Sequence, residues 1–195
     1  MSMTTWVVIG VLAVVGLWAM SVYNRLVELR NRIANAFGQI DVQLKRRYDL
    51  IPNLVEVARG YMQHEAATLE AVIQARGQAQ GAAATARAAP TNAGAVGALA
   101  VAEGVLGGSL GRLMVVAEAY PELKADATMQ SLSEELASTE NRLGFARQAF
   151  NDQALDFNNA AQQFPALIVA RLFGFAPAPM LESTRSEEER SAPQV

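Results

Sequence analysis

The sequence predicts an all-α protein: an N-terminal transmembrane helix followed by an up-and-down antiparallel helical bundle of four segments. Three observations carry this. No charged side chain occurs from Met1 to Asn24, and Trp6 to Met20 is an unbroken apolar run. Behind it, apolar residues recur at spacings of three, four and seven, the period of a helix with one buried face. Near the end of the chain, a seven-residue apolar repeat is sustained over five intervals.

The first element is the anchor, 1–24. As a helix, Met3 to Tyr23 is about 31 Å long, matching the roughly 30 Å hydrocarbon core of a bilayer. A cleaved signal peptide is the rival reading. The segment before Trp6 has no Lys or Arg, the apolar run exceeds a usual signal core, and the one small-x-small site, Ala19-Met20-Ser21, lies inside the apolar flank. A retained anchor is therefore expected. Trp6 at one end and Trp18 and Tyr23 toward the other suit the two interfaces. Arg25, Arg30 and Arg32 follow the span while no cation precedes it, which predicts a single-pass protein with its N-terminus outside and its domain in the cytoplasm. Gly10, Ala13, Gly16 and Ala19 form a small-residue strip whose spacing is not that of a tight pairing motif, so ordinary small residues in a lone span are favoured.

The bundle is expected over 25–175. In its first segment Tyr23, Leu26, Ile33, Phe37, Ile40 and Leu44 share a face. Lys45-Arg46-Arg47 stand where cations favour a helix C-terminus. Asp49 then reads as an N-cap, with Pro52 in the first turn of the next helix. A turn at 49–52 is thus expected, against one long helix merely kinked at Pro52. The second segment runs from about Leu50 to Gln78, and the Ala/Gly-rich stretch 78–97 around Pro90-Thr-Asn-Ala-Gly94 reads as a loop. The third, about Leu99 to Tyr120, contains Gly104, Gly107, Gly108 and Gly111, which predict close approach by a neighbouring helix, and Pro121 ends it. The fourth carries the heptad seam Met129, Leu136, Leu143, Phe150, Phe157 and Phe164, closed by Pro165. A turn at Pro52 would return this segment to the bilayer and set 166–175 among the headgroups. A single long first helix would send Phe173 and Phe175 to the far end. The remainder, 176–195, reads as a flexible acidic tail with Glu182, Glu187, Glu188 and Glu189 against Arg185 and Arg190. A chain starting near Arg25 is expected to fold as a soluble helical domain.

Composition narrows function mainly by exclusion. The net charge of −3 has no basic face of the kind nucleic acid requires. There is no cysteine, which removes disulfide and thiolate chemistry. His64 stands alone beside Glu65, with no second ligand at helical spacing, so no metal, cofactor or catalytic residue is assigned and no enzyme activity is expected. Glu140, Arg142 and Arg147 lie beside the seam with Asn151 and Asn158, seven apart. Such groups more often fix helix register than form a site.

Tyr23-Asn-Arg-Leu-Val27, Leu29-Arg-Asn-Arg32, Ala34-Asn-Ala-Phe37 and the run from Gln39 to Glu56 resemble the signature of the LemA family. Glu118 to Ala125, Glu140-Asn-Arg142 and Leu172-Phe-Gly-Phe175 resemble its later motifs. The resemblance implies a bacterial single-pass membrane protein with a helical bundle, in a family without an established biochemical activity. A scaffold or protein-interaction module at the cytoplasmic membrane is the leading expectation, and a component of a membrane signalling or sensing pathway the alternative. The expected partners are the lipid bilayer and proteins the sequence does not identify, with a homo-oligomer among the options, and no nucleic acid.

Overall fold

The computed structural model describes residues 2–181, and among them forms six helices and no strand. α1 (Met3–Tyr61) is a single helix of 59 residues. Its first 20 or so residues stand clear of the rest of the chain, and from Leu26 one stripe is buried: Leu26, Leu29, Ile33, Phe37, Ile40, Leu44, Arg47, Ile51, Leu54 and Ala58. α2 (Ala66–Ala88) returns along α1, α3 (Ala93–Ala117) runs outward again, and after the short α4 (Pro121–Ala125) the long α5 (Ala127–Gln162) descends along the whole bundle part of α1. α6 (Ala166–Leu172) then packs at the base, against α1 and α5.

The alternation of directions is the expected one, but the first reversal is at 62–65 rather than 49–52. Asp49 and Pro52 both lie inside α1. Proline has no N–H to bond the carbonyl four residues back, and a buried carbonyl without a donor is costly. Here that carbonyl, Tyr48 O, instead accepts from Nε of Arg76 on α2 at 2.6 Å. The tertiary neighbour replaces the bond that proline removes, so the helix continues. Lys45, Arg46 and Arg47 are consequently mid-helix residues: Lys45 pairs with Asp49, Arg46 with Glu135 of α5, and Arg47 turns inward.

This arrangement yields a first test. Arg76→Met should destabilise the bundle by about 1.5–3 kcal/mol, the range for a hydrogen bond from a charged donor. In a Pro52→Ala background, where residue 52 regains an N–H, the same change should cost clearly less. A denaturant-unfolding double-mutant cycle reads the coupling; additive effects would separate Arg76 from the proline.

Four other expectations are corrected. The stretch 78–97 is not a loop: α2 continues to Ala88, burying Ala79, Ala83 and Ala86, and only 89–92 form the turn before Asn92 caps α3 by accepting from the Ala95 N–H at 2.9 Å. Alanine was the sign of a helix packed closely along its small face. The third helix accordingly starts at Ala93 and ends at Ala117, and Pro121 begins α4 rather than ending α3. At Gly104, Gly108 and Gly111 an added Cβ would meet nothing within 4 Å, so these three face open space, and at Gly107 it would reach only the Arg47 guanidinium of α1, at 3.9 Å. In the seam, Leu143, Phe150 and Phe157 are fully buried and Met129 nearly so, Leu136 is half-buried, and Phe164 is 82% exposed because α5 ends at Gln162.

A long α1 does not send the Leu-Phe-Gly-Phe segment to the far end. From Arg25 to Tyr61 α1 is about 55 Å long and the 36-residue α5 about 54 Å, so the two match. Asp126, the N-cap of α5, takes the Tyr61 hydroxyl at 3.0 Å and the Met129 N–H at 2.9 Å, tying the outer ends together. The inner ends then meet at Tyr23, whose ring lies 4.9 Å from Phe173 and 5.5 Å from Phe175. Gly174, at φ +71°, makes the reversal between those phenylalanines: the Gly174 N–H bonds Arg171 O and the Phe175 N–H bonds Ala170 O, closing the α6 C-terminus.

Candidate functional site

Charged residues on two apolar stripes build the most unusual feature of the core. Arg47 continues the Ile40, Leu44 series of α1, and Glu103, the sole acidic residue of α3, continues Val96 and Leu99. Helical geometry therefore points both inward at the same level. Arg47 Nη1 lies 2.7 Å from Glu103 Oε2 and 3.1 Å from Glu140 Oε2, and the Tyr48 hydroxyl donates to Glu103 Oε1 at 2.6 Å. Arg147 Nη2 of α5 is 4.0 Å from Glu103. The Arg47 and Glu103 side chains are each 4% exposed. Arg47 Nε and Gln43 Oε1 are buried without a hydrogen-bond partner among the described residues.

Burial and the neighbouring Glu103 carboxylate hold the Tyr48 phenol well above its ordinary range, so it keeps its proton and acts as a donor. A cluster of this kind joins α1, α3 and α5 at one level. Buried ion pairs add little net stability over apolar packing, but they penalise any register in which a charge loses its partner.

Beside the cluster, α3 and α5 do not pack closely, and a cleft of about 560 Å³ opens between them. Ile40 and Leu44 form its floor, Gly104, Gly107 and Gly108 one wall, and Arg147 lies opposite. Met180 and Leu181, in the chain after Phe175, also line it. Asn158 exchanges two bonds with the Ala178 backbone, at 2.9 and 2.7 Å, and Asn151 does the same with Leu181, at 2.6 and 2.8 Å. Seven helical residues rise about 10.5 Å and three extended residues span about 10 Å, which is why two asparagines seven apart hold alternate points of an extended strap. The start of the expected flexible tail, 176–181, is thus fastened along α5, while 182–195 lie outside the described residues.

The other flagged residues separate. Glu140 and Arg147 join the cluster, Asn151 and Asn158 hold the strap, and Arg142 is exposed. His64 is exposed in the turn after α1, and among the described residues no three His, Cys, Asp or Glu side chains converge. Sequence reasoning missed Arg47, Tyr48 and Glu103. The available signal was a lone charge on each of two apolar stripes.

α1 and α3 are each long and apolar enough to cross a membrane. The apolar window of α1 has no buried residue, whereas α3 buries Leu99, Leu106, Leu110 and Leu113 and the ion-paired Glu103, so α1 carries the exposed candidate span and α3 is a bundle helix. Comparison with known proteins finds the LemA family model matching residues 36–195. The magnetosome protein MamQ of Magnetospirillum gryphiswaldense is 35% identical over 82 residues, 42% of this chain and 30% of that protein. MamQ 2 and MamQ 1 of Paramagnetospirillum magneticum are each 33% identical over 81 residues, again 42% of this chain and 30% of theirs. The matched stretch thus spans under a third of each relative's length.

Proposed function

The chain belongs to the LemA family, and we propose that it acts as a membrane-anchored scaffold or protein-interaction module in a bacterial cytoplasmic membrane, with its N-terminus outside and its bundle in the cytoplasm. The observation that carries this reading is the exposed apolar face of α3, whose edge at Val101, Gly104 and Gly108 also lines the cleft. Val101 is 70% exposed, Val105 49% and Val115 73%, with Gly104, Gly108 and Gly111 between them. An apolar helix face of that length facing water marks an interaction surface more often than an inert one. The cluster behind it holds α3 in register and so presents the face rigidly. The buried charges support a structural role first, since Arg47, Glu103 and Tyr48 bond one another across the core. The magnetosome association named for the matched relatives is not carried over, since the similarity covers a minority of each protein.

A photoreactive residue placed at Val101 or Val115 in native membranes should give protein adducts, and one at the exposed Glu134 of α5 should not. Absence of adducts from both α3 positions would remove the interaction reading. A partner set unchanged across growth conditions supports a scaffold, and a set that changes with them supports the signalling alternative. Reporters fused after Val195 should be active in the cytoplasm; activity only outside reverses the orientation.

A further inference from the structure

We propose that α6 is a second membrane element, an interfacial helix whose Phe164, Ile168, Leu172 and Phe173 enter the same leaflet from which the anchor emerges. The proposal rests on the membrane-anchored reading of α1. Ile168 and Leu172 are four residues apart and so share one side of α6, while Phe164 precedes the helix and Phe173 closes it. Phe164, Ile168, Leu172 and Phe173 are 82%, 59%, 78% and 56% exposed, whereas Val169 and Ala170 are buried against the bundle. Four large apolar side chains exposed within ten residues form an apolar patch that contact with lipid would remove from water. Phe175 anchors the far end in a cluster with Tyr23, Phe157 and the Arg30 guanidinium, 5.8 Å from its ring.

The occupant follows from continuity. The apolar surface of the anchor, with Leu17 67% and Met20 61% exposed, runs up to Tyr23, and the Tyr23 ring touches Phe173 at 4.9 Å. A bilayer that covers Leu17 and Met20 and ends at the ring of Tyr23 meets Phe173 at the same depth. Arg171 of α6 and Arg25 and Arg30 of α1 are exposed around this level, placed to reach lipid phosphates while the apolar side chains point toward the acyl region. A helix in this position sits roughly 5–10 Å into the boundary between headgroups and chains. Two attachments, the anchor and α6, then limit how far the bundle tilts over the membrane, and the unbroken α1 holds them at fixed separation.

The test uses the full chain in phosphatidylglycerol/phosphatidylethanolamine vesicles. Because the chain has no cysteine, Ile168→Cys, Leu172→Cys and, as a control on α3, Val115→Cys each take one nitroxide. Labels at 168 and 172 should collide more with oxygen than with a water-soluble nickel chelate, and the label at 115 the reverse. Nickel accessibility at 168 and 172 equal to that at 115 overturns the proposal. Dipolar broadening between labels at 168 overturns it too, in favour of a second copy on this face. A diazirine-bearing phospholipid checks the unmodified chain: adducts on both 3–23 and 164–173 support the proposal. Adducts confined to 3–23 overturn it alone, and adducts on neither stretch overturn the anchored reading with it.

Discussion

Glu103→Ala should destabilise the bundle by about 3–5 kcal/mol, the cost of leaving a buried charge without its partner. The substitution strands two groups. Arg47 loses its shortest ion pair and keeps only the longer one to Glu140, and the Tyr48 hydroxyl loses its acceptor. Glu103→Gln preserves the shape and an acceptor for Tyr48 but not the charge, so its effect should fall between wild type and Glu103→Ala. The combined replacement Arg47→Met, Glu103→Leu and Tyr48→Phe removes the charges together and should lie much nearer wild type. Denaturant unfolding of the full chain in detergent, followed by helical circular dichroism, ranks the variants. A Glu103→Ala effect below about 0.5 kcal/mol would mean that the guanidinium finds water on the cleft side, and the register argument for the cluster would fail.

Phe150→Ala and Phe157→Ala should each cost about 3–5 kcal/mol, whereas Phe164→Ala should stay within about 0.5 kcal/mol. The three occupy successive positions of one heptad series, which makes the comparison internal. Phe150 is 0% exposed with its ring 6.0 Å from Phe37 of α1, and Phe157 is 1% exposed with its ring 6.2 Å from Phe175. Their removal leaves cavities between α1 and α5 that rigid helix backbones cannot collapse to fill. Phe164 lies past the end of α5 and leaves no cavity. Thermal melting of the three variants checks this, and Phe157→Ala should in addition loosen the 176–181 strap, seen as faster amide exchange at Ala178 and Leu181. Equal melting of all three would take the seam out of the core.

Much of this fold can be read from local pattern. The uncharged run to Asn24 reads as a candidate span because desolvating a charge is costly in any bilayer, and in the structure it stands exposed beyond the bundle. The stripe from Leu26 to Leu44 and the seam from Leu143 to Phe157 are correctly periodic because α1 and α5 pack against each other along their length. The reversal at 62–65 is less legible. Asp49 and Pro52 carry the local signs of a turn, and 62–65 contains neither proline nor glycine. The 78–97 stretch misleads in the opposite sense, since alanine and glycine suggest a loop by composition and a closely packed helix by burial. The cluster was half visible: Glu140 and Arg147 stand out beside the seam, but Arg47 reads locally as a C-terminal cation only if the helix is believed to end there.

By itself the sequence determined that this is an all-helical protein with one exposed apolar helical stretch near its N-terminus and a bundle behind it, because hydrophobic periodicity and the absence of charge act through each segment's own geometry. The tertiary structure alone decided where α1 ends, which charges are buried and what the glycines of α3 face. Each of these depends on a group supplied from far along the chain. Arg76 provides the hydrogen bond that Pro52 withholds, Glu103 provides the counter-charge that lets Arg47 enter the core, and the distance between α3 and α5 leaves Gly104 and Gly108 beside open space. A backbone carbonyl or a guanidinium is satisfied by any donor or acceptor that reaches it, so local sequence states the need and only the packed chain shows how it is met.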